Sequence, residues 1–357
     1  MNSPTKKIDF SFQRISANDK LFFIQHLEIL VRTGFALGTA LKTLAKQTTN
    51  KKMQAVLQDL EQQLQQGATL ASSLERHPKV FPKLITTMVH AGEISGNLDH
   101  ILKQLSVQLK KDHSLRKKVQ SAMIYPSVIL SAMVIIGTLM FLFVIPSMLA
   151  IYDEFEGTLP VTTQLLITIT DIMVHQGWIV ALVLIVLIFL ASRVIQTPSG
   201  KRVFHRFMLR LPIFGSIALK MNLARFSQML HSLLTTDIPI DQSFVVTGNT
   251  LRNVIYRDAL VATSEGIKQG APIASLLERE PKLFPPVVTQ MFAVGEQSGT
   301  LEMITEEIAN FYDEEVDQIT SGLAAIIEPI LILILGGAVA FIASALILPM
   351  YSLVDQI

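Results

Sequence analysis

The side chains with the strongest claim to chemistry are two glutamates, Glu93 and Glu296, each set in a G-E-x-S-G element. A carboxylate beside two glycines has two uses. It can bind a cation or a partner's basic residue, or it can accept hydrogen bonds from the adjacent turn and fix it. Gly92, Glu93 and Gly96, like Gly295, Glu296 and Gly299, have the composition of a turn between helices, which favours the structural use. A third carboxylate, Glu328, stands just before Pro329 at the edge of an apolar stretch. It is either a coupling or proton-linked group or an interfacial residue at the positive end of a helix, and the second reading is preferred. The eight histidines are dispersed and none has metal-type spacing. No cysteine occurs, which excludes disulfides, thiol catalysis and Cys-based metal sites. P-loop, G-x-S-x-G, H-E-x-x-H and G-x-G-x-x-G motifs are all missing. The expectation is a chain with no catalytic residue, no cofactor and no metal, and not an enzyme.

The elements that carry these residues come in two copies. Gly67–Leu98 and Gly270–Leu301 align without a gap at an offset of 203 residues, with 18 of 32 positions identical. Upstream, Phe23, Gln25 and Leu27 match Phe226, Gln228 and Leu230; downstream, Pro126 and Pro146 match Pro329 and Pro349. Apolar residues at helical spacing, such as Leu37, Leu41 and Leu44, then Met53, Leu57, Leu60 and Leu64, make each copy a small all-α bundle of about six helices. Asn18 or Asp19 is expected to cap the first helix, Gly92 to end the fifth in the left-handed conformation, and Asn97 to cap the last. Thr300 and Glu302 take the places of Asn97 and Asp99 in the second copy, keeping the same physical roles.

Half of the 357 residues are apolar and only 17% are charged, too oily for an ordinary soluble protein. No cleavable signal peptide is read at the start, because Leu21–Val31 is interrupted by Gln25, His26 and Glu28. Pro126 to Pro146 and Pro329 to Pro349 each bracket a stretch that would span ~30 Å as a helix, the thickness of a bilayer core. Ile172–Ser192, between them, supplies one more span, with Trp178 as an interfacial aromatic. The division expected is a flexible arm over 1–17, a first bundle over 18–122, a span over 123–151, a short outer loop over 152–171, a span over 172–192, a linker and second bundle over 193–322, a span over 323–350 and an outer tail over 351–357. Equal bundles precede equal spans, so both lie on one side, and the basic blocks 1–122 and 193–282 put that side in the cytoplasm. Residues 283–357 carry ten acids and no base, so the third span gets no help from that rule.

The copies differ in charge where each bundle ends. Leu98–Lys118 holds six basic and two acidic residues, whereas the matching Leu301–Ser321 holds seven acids and no base. These two helices either pair, between copies or subunits, or are separately solvated faces. Glu328 falls opposite Tyr125, so its charge is no requirement of the repeat.

From about Leu21 onward the chain resembles the platform proteins of type II secretion and type IV pilus machines, the F-protein/PilC family. The resemblance rests on FIQHLEILVRTGFALGTALKTL and its repeat FSQMLHSLLTTDIPIDQSF, on both G-E-x-S-G-x-L elements, on TPSGKRVFHRFMLRLPIFGSIALKMNLARFSQML and on IEPILILILGGAVAFIASALILPMYSLVDQ. It implies an all-α integral membrane protein of two homologous cytoplasmic helical bundles and three transmembrane helices, in the bacterial inner membrane, with a cytoplasmic N-terminus and an outer C-terminus. It implies a homo-oligomer in the lipid bilayer that contacts a cytoplasmic assembly ATPase, pilin or pseudopilin subunits and other inner-membrane assembly proteins, with no direct nucleic-acid contact. The acidic flank before the third span departs from the basic residues usual in that family. The function implied is a non-enzymatic platform that couples the ATPase to pilin-like subunits. The rival readings are a secondary transporter built from parallel repeats and a membrane-bound enzyme.

Overall fold

The computed structural model describes residues 15–149 and 160–354, and among them every regular element is helical. The first copy comprises α1 (Ala17–Arg32), α2 (Leu37–Gln47), α3 (Lys51–Gln65), α4 (Leu70–Glu75), α5 (Lys83–Ser95) and α6 (Leu98–Ala122). An apolar stretch follows as α7 (Ile124–Leu139), a π-helical turn (Met140–Val144) and α8 (Ile145–Leu149). Then come α9 (Val161–His175), α10 (Gly177–Gln196) and α11 (Pro198–Arg210). The second copy is α12 (Pro212–Leu234), α13 (Ile240–Thr250), α14 (Val254–Lys268), α15 (Ile273–Leu277), α16 (Pro286–Ser298) and α17 (Leu301–Val354). Each bundle therefore has six helices in the same order.

The 203-residue offset holds in side-chain detail. Asn50 Oδ1 accepts from the Lys52 and Met53 amides at 3.1 and 3.3 Å and starts α3; Asn253 Oδ1 accepts from the Ile255 amide at 2.9 Å and starts α14. Phe23 packs against Phe81 with ring centroids 5.5 Å apart, and Phe226 packs against Phe284 at 5.6 Å. Each pair is fully buried at the centre of its bundle. Where the first core has Leu41, Met53 and Val89, the second has Phe244, Tyr256 and Phe292, all buried. Burial pushes the Tyr256 phenol far above its usual pKa, so it remains a donor, to the Leu283 carbonyl at 2.9 Å. The bundles form one compact unit, residues 15–117 and 205–316.

Caps and ends depart from expectation in five places. Ser16, not Asn18 or Asp19, is the N-cap of α1. Its Oγ accepts from the Asp19 amide at 3.1 Å while the Asp19 carboxylate accepts from the Ser16 amide at 2.7 Å, a reciprocal box. The arm read over 1–17 lies outside the described residues up to 14. Gly92 is not the left-handed residue after α5. It lies inside that helix, and Gly96 ends it with φ +72°, as Gly299 ends α16 with φ +71°. The outer loop read over 152–171 is helical from Val161, because Pro160 is a natural start with fixed φ. Residues 150–159 of that loop are outside the described residues. The second span shifts accordingly, from 172–192 to Gly177–Gln196 after a break at Gln176. The tail read over 351–357 is helical to Val354.

Among the described residues, three helical stretches are long and apolar enough to cross a membrane: Leu98–Leu149, Gly177–Gln196 and Leu301–Leu348. Nothing on α10 is buried, and large apolar side chains stand exposed along α7, α10 and the later part of α17. A fourth candidate arises only if α11 and α12 are joined. It fails physically, since α11 carries Lys201, Arg202, Arg206 and Arg210 and α12 is buried in its bundle at Leu223, Phe226, Leu230 and Leu233. The π-helical turn precedes Pro146, which has no N–H to give to a carbonyl one turn back; widening the helix there absorbs the lost bond. The apolar helices form the second compact unit, residues 118–204 and 317–354 among those described. Within it Ile145, Leu149, Leu166 and Ala345 make a buried cluster, and the Thr163 hydroxyl donates to the Ala345 carbonyl at 2.6 Å.

Candidate functional site

The two glutamates of the G-E-x-S-G elements have their oxygens engaged. Glu93, on α5, accepts from the Leu70 amide at 2.5 Å and from the Ala71 amide at 3.1 Å. Glu296, on α16, accepts from the Ile273 and Ala274 amides at 2.9 and 3.4 Å. Both carboxylates are half-buried and sit on the N-termini of the short helices α4 and α15. There they satisfy amides that have no partner within the helix and meet its positive end. The turn each one fixes is therefore 22 or 23 residues upstream, not the adjacent one. Sequence reasoning missed this because the contact is tertiary.

Gly92 and Gly295 have a packing role. A Cβ on Gly92 would lie 2.8 Å from Ile101 Cγ1, and one on Gly295 would lie 2.8 Å from Ile304 Cγ1. Both glycines are buried, and each lets the fifth helix of its bundle press against the sixth. The sixth helices begin where expected, with the Ile101 amide bonded to the Asn97 carbonyl and the Ile304 amide to the Thr300 carbonyl, both at 3.1 Å. Glu328 is exposed on α17 and Tyr125 is exposed on α7. Among the described residues no group of three His, Asp or Glu is placed to hold a metal. His77 instead pairs with Asp59 at 2.7 Å, and His205 Nδ1 accepts from the Val254 amide at 3.1 Å.

The strongest polar constellation is one that sequence reasoning did not assemble. It is centred on α12, which bonds to the last helix of both bundles. Arg225 Nε lies 2.8 Å from Asp112 on α6, near enough for a charge pair but off line for a hydrogen bond. Arg116 Nη2 lies 2.8 Å from the other Asp112 oxygen. The Ser232 hydroxyl donates to Gln108 at 3.0 Å, and the Thr235 hydroxyl donates to Gln104 at 3.3 Å. Toward α17, Lys220 pairs with Glu315, and His231 Nδ1 meets the Glu302 carbonyl at 3.1 Å. Arg225 is 7% exposed and Gln108 3%, so this is an interior seam and not a surface decoration.

The opposite charges of α6 and α17 meet only in part directly. Lys118 pairs with Asp317 at 2.6 Å, but Lys110, Lys111 and Lys117 join no ion pair among the described residues. The acids Asp112 and Glu315, which share a repeat position, take their cations from α12. The signal that could have found this is the repeat itself, since α12 is the counterpart of α1 yet carries Lys220 and Arg225 where α1 has Ala17 and Phe22.

The family model for type II secretion system protein F matches residues 23–146 and again 226–349, the two copies at the same offset. The chain is 34% identical over 340 residues to the type IV pilus assembly protein PilC of Thermus thermophilus, covering 95% of this chain and 83% of that one. It is 32% identical over 346 residues to the PilC of Myxococcus xanthus, covering 97% and 83%. It is 31% identical over 341 residues to the type II secretion system protein F of Vibrio cholerae, covering 95% and 84%. With both copies matched, and three helices able to span a bilayer, this chain belongs to the type II secretion system protein F family.

Proposed function

We propose that the chain is a non-enzymatic inner-membrane platform for assembling a type IV pilus or a type II secretion pseudopilus. It couples a cytoplasmic assembly ATPase to pilin-like subunits and works as a homo-oligomer. Both bundles face the cytoplasm, with the N-terminus inside and the C-terminus outside. The basic α11, with Lys201, Arg202, Arg206 and Arg210, supports that orientation at the inner end of the second span.

The observation that carries the reading is the seam on α12. Ion pairs, buried at Arg225 and part-buried at Lys220, and hydrogen bonds tie the second bundle's first helix to the last helix of each bundle. A push on either bundle is therefore passed to both α6 and α17 instead of being absorbed at a soft interface. Both of those helices lead along the chain into apolar segments. The carboxylates of the repeated motif are each engaged by two backbone amides, which supports a structural use for them.

The test is a deletion strain complemented with the wild-type chain or with Asp112→Arg. Filaments or exported protein should vanish in the deletion and with Asp112→Arg, while pilin synthesis and membrane levels of the variant stay normal. Normal filaments and normal export in the deletion would refute the platform. Substrate-dependent flux in reconstituted vesicles would favour a transporter instead.

A further inference from the structure

Beside the seam, inside the compact unit formed by the bundles, lies a cavity of about 400 Å³. That is within the range of sites for small organic molecules, roughly 300–1,000 Å³. Lys20 from α1, Arg116 from α6, Arg225 from α12 and Arg252 from the α13–α14 link all face it. Asp112 is the sole carboxylate in its lining. Asp112 engages Arg116 and Arg225, while neither Lys20 nor Arg252 joins an ion pair among the described residues. Two further donors there are buried and unmatched, Gln108 Nε2 and Arg116 Nε. A buried donor without an acceptor is costly, and at this site the unmatched donors, Gln108 Nε2, Arg116 Nε and Arg225 Nε, outnumber the one unmatched acceptor, Asp112 Oδ1.

The internal repeat shows that the fold does not require these cations. At the offset of 203 residues, Lys20, Arg116, Arg225 and Arg252 correspond to Leu223, Ile319, Phe22 and Thr49. The matching acid, Glu315, is served by one lysine, Lys220. Each bundle thus folds with only two of the four cations, and the cluster arises where residues of both copies meet.

We propose that this cavity binds a small phosphate-bearing anion, held by the guanidinium groups of Arg116, Arg225 and Arg252 and the ammonium of Lys20. Guanidinium forks match phosphoryl oxygens in pairs, and a group with two or more negative charges balances the excess that Asp112 leaves. Gln108 Nε2 donates to the same oxygens. The apolar wall, which includes Leu84, Leu109 and Met229, receives the organic body. Burial, and then the Arg116 charge, push Lys20 and Arg252 below their ordinary pKa values; burial does the same to Arg225 against the pull of Asp112. A bound anion reverses that penalty and ties the first helix of each bundle to α6. The inference is independent of what the platform assembles.

The test uses the full-length protein in an uncharged detergent, titrated calorimetrically with inorganic pyrophosphate and, separately, with ADP, at fixed ionic strength. Saturable one-to-one binding of pyrophosphate or ADP is expected, with a tighter fit for ADP if the apolar wall is used. Arg252→Gln and Lys20→Gln should each weaken it roughly 10- to 100-fold, the loss of one charge-assisted contact. Lys110→Gln, on the same helix as Arg116 but outside the cavity lining, should leave binding unchanged. Arg252 joins no ion pair among the described residues, so its variant should melt as the parent does without ligand; Lys20→Gln gives the same readout by another route. No saturable binding of either probe, or binding that both cavity variants leave intact, would overturn the proposal.

Discussion

Replacing Glu93 or Glu296 by alanine isolates what the repeated motif does, because the chain contains its own control. In the first copy, Glu93→Ala removes the acceptors of the Leu70 and Ala71 amides, at 2.5 and 3.1 Å. Thr69 Oγ1 still holds the Ser72 amide at 3.1 Å, so α4 keeps one cap. Losing an N-terminal cap costs about 0.5–2 kcal/mol, and losing a charge at the positive helix end costs about 0.3–1 kcal/mol more. We expect about 2 kcal/mol, which opens the α4 region roughly 30-fold more often. Glutamine keeps one acceptor oxygen and no charge, so Glu93→Gln should cost about 1 kcal/mol. In the second copy α15 starts after Pro272, whose side chain cannot accept a bond, and Glu296 is the one side-chain cap. Glu296→Ala should therefore loosen α15 by a comparable ~2 kcal/mol despite longer bonds. The assay is hydrogen exchange by mass spectrometry on the full-length protein in detergent, following peptides over 68–76 and 271–278. Each alanine variant should deprotect its own copy and spare the other. Unchanged exchange in the mutated copy, or equal loss in both, would refute the capping role.

Three other outcomes follow from the same geometry. Arg225→Met leaves Asp112 with Arg116 as its remaining cation, so it should cost about 2–3 kcal/mol, less than the ~3–5 kcal/mol of a fully orphaned buried charge. A double-mutant cycle with Asp112→Asn, read by thermal melting, should give at least ~1 kcal/mol of coupling, and coupling near zero would show the pair to be incidental. Gly295→Ala forces a methyl to 2.8 Å from Ile304 Cγ1 and should cost about 1–3 kcal/mol, partly restored by Ile304→Val; a neutral Gly295→Ala would mean that α16 and α17 yield freely. Asp237 has φ +55° where its repeat counterpart Gly34 has φ +86°, so Asp237→Gly should raise stability by up to ~1 kcal/mol, and a lower melting temperature would count against strain at that turn.

Features set by local chemistry could be read from the chain, and features set by distant partners could not. The repeat, the six-helix count and the apolar spans rest on periodicity and composition, which survive in a single sequence. The starts of α6 at Leu98 and α17 at Leu301 were legible because a helix start is signalled locally. Glu93 was half legible: its neighbours announce a turn, but its acceptor role points to amides more than 20 residues away. Gly92 misled for a related reason. A glycine near a helix end suggests a left-handed cap, yet the chain has a second glycine four residues on, and Ile101 decides between them by needing the space. The helix Val161–His175 was hidden by its threonines, weak helix formers, and by the acidic residues before it.

The places where the copies disagree carry more functional information than the places where they agree. Shared features, the paired phenylalanines, the capping glutamates and the tight glycines, are what any such bundle needs to fold. Lys220 and Arg225 replace Ala17 and Phe22 on the counterpart helix, and this makes α12 a hub while α1 remains an ordinary core helix. Had the charges on α6 and α17 simply attracted each other, their pairing would lie on the surface, where salt screens it and exposed pairs contribute at most ~1 kcal/mol. Routing Asp112 and Glu315 through α12 moves the attraction to sites with exposures of 8–27%, where it is screened less and resists displacement. Under the proposed platform reading, in which force passes between the two bundles, the second arrangement is the stiffer coupling of the two.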